Sequence, residues 1–303
     1  MGMIELNEVT KTFGQHTAVD NLSLQVPSGS VYGFIGPNGS GKTTTLRMIM
    51  HIFFPDRGAI RVLGAESSQA ATDRVGYLPE ERGLYKQMKV RDILRFYATL
   101  KGCRHSTSAI DRWLARFDLT AWADKKVDTL SKGMSQKVQF IATVVAQPEL
   151  VLLDEPFSGL DPVNAEVLRD AVLDLKRQGT TVIFSTHDMA VAEKMCDFIF
   201  MIYKGRKVLD GTLEKIQDTY GSDTLRVRLE GSADGLTTLP GVAKVTDFGR
   251  LQELRLERGI DPQSVLAALM TRGQVRHFEL TRPSLHDIFV RIAGPEAAEA
   301  NHA

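Results

Sequence analysis

The sequence predicts an α/β protein with a mostly parallel central sheet, followed by a small α+β domain. Leu150–Leu153 is wholly apolar and Thr180–Ser185 has an apolar centre, as expected for parallel strands covered on both faces. Between them, Glu166–Gln178 has a helical pattern that ends before Gly179, a residue favoured at helix C-termini. Alternating strands and helices of this kind build a parallel sheet. After residue 220 the pattern changes to shorter, half-exposed strands.

The elements of the first part follow in order. Thr10–Val19 contains a turn signal between two strand-like pieces and predicts an antiparallel sheet beside the core. Ser30–Ile35 is a strand that enters a glycine-rich loop, and Lys42–His51 continues as a helix. Val90–Cys103 and Ser108–Phe117 have helical patterns and predict an inserted helical subdomain.

Three regions are predicted: residues 1–220, an accessory domain at 221–292, and a small, polar tail at 293–303. The accessory domain has four predicted strands and two predicted helices: strands at Leu225–Leu229, Val242–Phe248, Leu251–Leu256 and Val275–Leu280, a helix from Pro262 to about Thr271, and a closing helix Ser284–Ile292. With a short helix after the first strand, this order is ferredoxin-like.

Composition narrows the function classes. Lys+Arg and Asp+Glu both number 37 in 303 residues, which argues against a strongly basic nucleic-acid binder, so no nucleic-acid partner is expected. No stretch of about 20 mostly apolar residues predicts a membrane span, and the first residues do not resemble a secretory signal. Cys103 and Cys196 are far apart and fit free thiols in a reducing compartment. These features predict a cytosolic chain.

A phosphate-binding loop is the first chemical motif. The run fits GxxxxGK[ST] in full and comprises Gly36, Pro37, Asn38, Gly39, Ser40, Gly41, Lys42 and Thr43, with Thr44 next in the helix. It follows an apolar strand and opens a helix, the context that the motif requires. The glycines allow backbone N–H groups to surround phosphate oxygens, and the helix N-terminus adds its positive dipole end. Lys42 supplies a charge to the outer phosphates and Thr43 a hydroxyl to Mg²⁺.

Two carboxylates follow the strand Leu150–Leu153. Asp154 at the end of a buried strand beside the phosphate loop can hold the Mg²⁺ shell. Glu155 is then placed to polarise an attacking water. Alone, these could be two carboxylates at an ordinary strand end, but the phosphate loop favours the catalytic interpretation.

Leu130–Met134 (LSKGM) resembles the LSGGQ signature of ATP-binding cassette (ABC) ATPases. The other motifs of that family occur in the family's order: Phe13 where an aromatic ring lies against adenine, Gly36–Thr43 as Walker A, Gly76–Glu80 as the Q-loop region, Asp154–Glu155 as Walker B, Ser158–Asp161 as the D-loop, and Ser185–His187 as the H-loop. The resemblance covers about residues 3–215 and implies the ABC ATPase fold.

Two motifs depart from the common family pattern. Glu80 stands where most cassettes have Gln, and Lys132 and Met134 replace Gly and Gln of the signature. Lys132 either adds positive charge near phosphate or faces solvent. Together with Gly76–Tyr85, these departures resemble the sodium-extrusion-type branch of ABC-2 exporter ATPases, which also carries a small domain after the cassette.

The resemblance implies an ATPase in which two cassettes close head to tail around two ATP molecules, most simply as a homodimer. The roles it implies are these: Lys42 on the phosphates, Thr43, Glu80 and Asp154 at Mg²⁺, Glu155 as general base, His187 at the γ-phosphate, Ser131 and Gly133 in trans on the ATP of the other subunit, and Asp161 between the two sites.

A separate transmembrane permease subunit would hold this cytoplasmic chain at the inner face of the cell membrane, and the segment Glu80–Met88 would face that partner. The alternative is a soluble, non-transport ABC ATPase of translation or DNA repair, a class that usually has two cassettes, a long coiled coil or cysteine zinc clusters. A third interpretation, compatible with the first, makes the C-terminal domain a sensor that regulates the ATPase.

Overall fold

The computed structural model describes residues 2–66, 73–81, 83–103, 105–221, 223–230, 236–249, 251–257 and 259–294. The described chain forms two compact units that divide between Thr212 and Leu213. The change of sequence pattern had suggested a boundary at residue 220. Most of the predicted tail at 293–303 lies outside the described residues.

The first unit begins with a four-stranded antiparallel sheet. Its strands are β1 (Ile4–Phe13), β2 (His16–Val26), β4 (Arg57–Val62) and β5 (Ala65–Glu66), in the order β2-β1-β4-β5. The β1–β2 turn falls at Gly14, whose φ of 58° is easy for glycine. The predicted N-terminal hairpin is therefore confirmed.

A six-stranded sheet forms the core of the first unit, in the order β10-β9-β3-β8-β7-β6. Its strands are β3 (Val31–Ile35), β6 (Val75–Leu78), β7 (Leu150–Asp154), β8 (Thr181–Thr186), β9 (Phe198–Tyr203) and β10 (Arg206–Gly211). Five of them run parallel, and β10 pairs antiparallel with β9 at one edge. Every residue of β3, β7 and β8 is buried, which explains their apolar sequences. The carboxyl ends of β3, β7 and β8 share one edge, where open parallel sheets bind ligands.

Among the described residues, six helices cover or extend this sheet: α1 (Lys42–Ile49), α2 (Val90–Leu100), α3 (Thr107–Arg116), α4 (Lys132–Val144), α5 (Pro162–Arg177) and α6 (Met189–Met195). The helical insert packs through one buried cluster that includes Ile93, Leu114 and Phe140. The start of α5 lies four residues before the predicted start at Glu166, because Asp161 caps the helix and Pro162 occupies its first turn.

The second unit contains α7 (Leu213–Tyr220), β11 (Thr224–Glu230), β12 (Val242–Asp247), β13 (Gln252–Leu256), α8 (Pro262–Met270), β14 (Gln274–Thr281) and α9 (Leu285–Ala293). Its antiparallel sheet has the order β12-β13-β11-β14, the ferredoxin-like arrangement. The short first helix is a single 3-10 turn, Leu236–Thr238. Ser284 and Asp287 form the predicted capping box of α9. No helix in the described ranges has the length and apolar character to cross a membrane.

Candidate functional site

The glycine-rich loop joins β3 to α1 at the carboxyl edge of the core sheet. Lys42 begins α1, and its side chain is 6% exposed. Its Nζ donates to the carbonyls of Gly36 at 2.7 Å and Pro37 at 3.2 Å, and lies 3.5 Å from Glu155 Oε1. Burial lowers the pKa of Lys42, and the nearby charges of Glu155, Asp154 and Glu80 oppose that shift. The ammonium group of Lys42 is therefore largely removed from water and surrounded by carbonyl and carboxylate oxygens.

Two glycines of the loop are required by close backbone approach. A Cβ on Gly36 would lie 2.2 Å from the carbonyl oxygen of Ile202. A Cβ on Gly41, whose φ is 110°, would lie 2.5 Å from the carbonyl oxygen of Ala18. The loop therefore keeps its shape only with glycine at both positions.

Asp154 is held by two hydroxyl groups at the end of β7. Ser185 Oγ donates to Asp154 Oδ1 at 2.6 Å, and Thr43 Oγ1 donates to the same oxygen at 3.1 Å. Asp154 is 1% exposed. Its other oxygen, Oδ2, is buried and has no hydrogen-bond partner among the described residues. The two hydroxyl bonds fix the orientation of the carboxylate and leave its Oδ2 oxygen free to accept a ligand.

Glu155 lies directly after this strand in a left-handed backbone conformation, with φ of 48°. Its backbone N–H donates to Ser185 Oγ at 2.9 Å. Its Oε2 lies 3.1 Å from Nδ1 of His187, which follows β8 and has a half-exposed side chain. Glu155 Oε1 is buried and without a hydrogen-bond partner in the part of the chain that is described. Such an oxygen can accept a proton or a ligand hydrogen bond.

These residues fit Mg²⁺ and a polyphosphate. Buried polar atoms normally find partners, yet Ser40 Oγ, Asp154 Oδ2 and Glu155 Oε1 have none among the residues described. Mg²⁺ uses one or two carboxylate or hydroxyl oxygens together with phosphate oxygens and water, which Thr43 and Asp154 can supply. A cavity of about 410 Å³ lies over the loop. It is lined by Phe13, His16, Ala18, Asn38, Gly39, Ser40, Gly41, Lys42, Thr43, Thr44, Glu80 and Glu155.

Phe13 forms one wall of this cavity at the end of β1. Its ring is 43% exposed and meets Phe53 edge-on, with centroids 5.3 Å apart. Lys11 Nζ lies 5.5 Å from the ring centroid. An exposed aromatic face braced from behind can stack on a planar base.

The residues expected to act in trans occupy other positions. Ser131 is the N-cap of α4 and accepts from the Met134 N–H at 3.2 Å, and Gly133 lies in the first turn of that helix. Asp161 is the N-cap of α5, where it accepts from Asn164 N–H at 3.0 Å. That backbone bond lowers the pKa of Asp161. None of the three lines the cavity over the phosphate loop.

Glu80 lies between two cavities. It lines the phosphate-loop cavity and also a neighbouring one of about 450 Å³, which Lys132, Asp154 and Glu155 line as well. Lys132 is exposed and follows Ser131 on α4. Glu80 and Lys132, two of the residues that depart from the common family pattern, thus share a cavity with the Walker B carboxylates.

The structure adds three residues to which the sequence assigned no role. Ser185 joins Asp154 to the backbone of Glu155, while Gln136 and Gln139 on α4 donate to backbone carbonyls of neighbouring loops. Ser185 belongs to the H-loop motif, but its bond to Asp154 depends on the pairing of β7 with β8. The only sequence signal for the glutamines is polar residues on the otherwise apolar face of a helix.

Comparisons with known families agree with this geometry. The family model described as ABC transporter matches residues 19–158. The model for the C-terminal domain of DrrA1-3-like ATP-binding proteins matches residues 211–293. One solved structure, an ATP-binding subunit of an ABC transporter, covers 72% of this chain and 93% of its own, with a TM-score of 0.69 and 29% identity. Another, cbiO1 of Clostridium perfringens, part of the cbiONQ transporter complex, has a TM-score of 0.63 at 22% identity and shows the fold alone.

Curated relatives match along nearly the whole chain. The uncharacterized ABC transporter ATP-binding protein YhaQ of Bacillus subtilis is 41% identical over 96% of this chain and 99% of its own. The daunorubicin resistance ATP-binding protein DrrA3 of Streptomyces coeruleorubidus is 32% identical over 97% and 96%. The Nod factor export ATP-binding protein I of Cupriavidus metallidurans is 32% identical over 97% and 98%. A soluble ATPase of translation or DNA repair is therefore not favoured.

Proposed function

The chain belongs to the ATP-binding subunits of ABC transporters, of the ABC-2 exporter type, and we propose that it hydrolyses ATP with Glu155 as general base to drive export through a separate permease. The observation that carries the proposal is Glu155 Oε1, a buried carboxylate oxygen with no hydrogen-bond partner among the described residues, 3.5 Å from Lys42 Nζ. Hydrolysis of ATP is the activity of the family. The transported substrate is not specified by this chain.

Positioning and electrostatics account for most of the chemistry, as is usual for phosphoryl transfer. Lys42 and the loop N–H groups bind the phosphates, while Thr43 and Asp154, with Glu80 nearby, would hold Mg²⁺. When bound, Mg²⁺ neutralises charge on the phosphate oxygens. Glu155 takes the proton of the attacking water at Oε1. His187, 3.1 Å from Oε2, orients that carboxylate and contacts the γ-phosphate.

A complete site needs a second cassette. Ser131 and Gly133 lie at the N-terminus of α4 and do not line the cavity over the phosphate loop of their own chain. A helix N-terminus is a natural site for a phosphate anion. Two copies related head to tail would place each signature helix on the ATP of the other copy, with Asp161 between the sites. The permease would hold this dimer peripherally at the inner face of the membrane, in contact with the segment Glu80–Met88.

Replacement of Glu155 by Gln tests the proposal. Glu155→Gln keeps the size of the side chain but removes the base, so turnover should fall at least about a hundredfold. ATP binding should persist, and light scattering should detect an ATP-dependent dimer. Glu166→Gln, an exposed change on α5, is the matched control and should leave turnover unchanged. Turnover of Glu155→Gln near the wild-type rate would exclude Glu155 as the base.

A further inference from the structure

Helix α4 begins in the signature motif and has two buried polar side chains in the turns that follow. Gln136 and Gln139 are each 7% exposed, although they lie among apolar residues such as Val138 and Phe140. A buried amide costs free energy unless its donors are satisfied. The partners of these two amides therefore indicate what the glutamines do.

Each amide donates to the backbone just after one acidic residue of the site. Gln136 Nε2 donates to the carbonyl of Pro156, the residue that follows Glu155. Gln139 Nε2 donates to the carbonyl of Glu81, the residue that follows Glu80, at 3.4 Å. One helix face thus reaches both loops that bear the acids of the site.

Helix α4 is a firm support for such bonds. It packs so closely on β6 that a Cβ on Gly76 would lie 2.6 Å from the Thr143 carbonyl oxygen. The loop that carries Glu80 is different, since no described residue between Leu78 and Val90 belongs to a helix or a strand. The later part of this loop is held by backbone bonds from the N–H groups of Asp128 and Val127 to the carbonyls of Lys86 and Met88. The bond from Gln139 therefore bears on the part of the loop around Glu80 and Glu81.

We infer that Gln136 and Gln139 are positioning residues that hold Glu155 and Glu80 in fixed register with the N-terminus of α4. Ser131 caps that same N-terminus. In the head-to-tail dimer, the phosphate bound at the N-terminus of α4 belongs to the ATP of the other copy. Gln136 and Gln139 thereby couple that phosphate to Glu155 and Glu80 in the active site of their own chain. The inference rests on the proposed function, because that function supplies the phosphate and the role of both acids.

Gln139→Leu is the decisive variant, because it keeps the buried volume and removes the donor. We expect kcat to fall about five- to tenfold, the factor of roughly one net hydrogen bond, with the Kd for ATP unchanged. Hydrogen exchange of the nucleotide-free full chain should rise over residues 79–89 and stay unchanged over the phosphate loop. In a Glu80→Gln background, Gln139→Leu should cost less than twofold in kcat, because it acts through Glu80.

A control variant separates positioning from general packing. Thr143→Val removes a hydroxyl bond one turn further along α4 and should leave kcat within twofold. Gln136→Leu should lower kcat as Gln139→Leu does, without the dependence on Glu80.

The inference is overturned if exchange over residues 79–89 is the same in Gln139→Leu and wild type, if the effects of Gln139→Leu and Glu80→Gln on kcat are additive, or if Thr143→Val acts equally. A wild-type chain that binds but does not hydrolyse ATP would instead contradict the proposed function. The exchange comparison would still decide whether Gln139 holds the loop.

Discussion

Ser185→Ala should destabilise the first unit far more than the loss of one hydroxyl suggests. Ser185 is fully buried, donates to the carboxylate of Asp154 at 2.6 Å and accepts from the Glu155 N–H at 2.9 Å. A hydrogen bond to a charged group contributes about 1.5–3 kcal/mol, and an unsatisfied buried N–H costs about 1–3 kcal/mol. We therefore expect a loss of about 3 kcal/mol in the free energy of unfolding.

Ser30→Ala is the matched control for this variant. Ser30 is also buried, but its Oγ donates at 2.8 Å to the neutral carbonyl of Pro27. Loss of one neutral bond costs about 0.5–1.5 kcal/mol. The two alanine variants remove the same atom, so their difference measures the second partner and the charge of Asp154.

Urea unfolding followed by tryptophan fluorescence measures both variants. The chain has two tryptophans, Trp113 and Trp122, and both lie in the first unit, so fluorescence reports that unit even if the units unfold separately. Equal destabilisation by Ser185→Ala and Ser30→Ala, or a change under about 0.5 kcal/mol in Ser185→Ala, would refute the argument.

Two further predictions concern ligand binding. Lys42→Ala removes the buried ammonium 3.5 Å from Glu155 and should weaken ATP binding at least about tenfold by calorimetry. Lys176→Ala, which breaks an ion pair with the partly exposed Asp197 outside the cavity lining, serves as control, and unchanged affinity of Lys42→Ala would contradict the phosphate role. Phe13→Ala should weaken ATP binding by about 1–3 kcal/mol, the range for base–aromatic stacking, without changing the affinity for inorganic triphosphate. The control is Phe54→Ala, because Phe54 is 67% exposed and outside the cavity lining; it should change neither affinity. An equal loss of triphosphate binding in Phe13→Ala would exclude stacking.

The features that the sequence predicted well are local. The loop from Gly36 to Thr43 requires glycine, lysine and threonine at fixed spacing, so its conformation and its chemistry can both be inferred from a few consecutive residues. The capping box at Ser284 is equally local. By contrast, the helical pattern from Glu166 places the start of α5 four residues too late, because Asp161 of the D-loop motif also caps the helix and Pro162 lies in its first turn.

The features that the sequence did not predict depend on the sheet order. Ser185 meets Asp154 because β7 and β8 are parallel neighbours with Asp154 opposite Ser185 in register. Nothing in either strand specifies that neighbour, since both have apolar centres with polar residues only at their ends. Gln139 meets Glu81 only because α4 packs on β6, and a polar residue on a helix gives no indication of its partner.

The backbone at Glu155 connects these long-range contacts to catalysis. A left-handed conformation costs a residue with a Cβ about 1–2 kcal/mol, and Glu155 adopts it at φ of 48°. The bond from its N–H to Ser185 Oγ offsets part of that cost. In exchange, the chain turns sharply at the end of β7, so that Asp154 and Glu155 point at the same cavity from consecutive positions. An extended backbone would place consecutive side chains on opposite faces. The left-handed turn at Glu155, which the bond to Ser185 stabilises, therefore allows two adjacent carboxylates to serve one site.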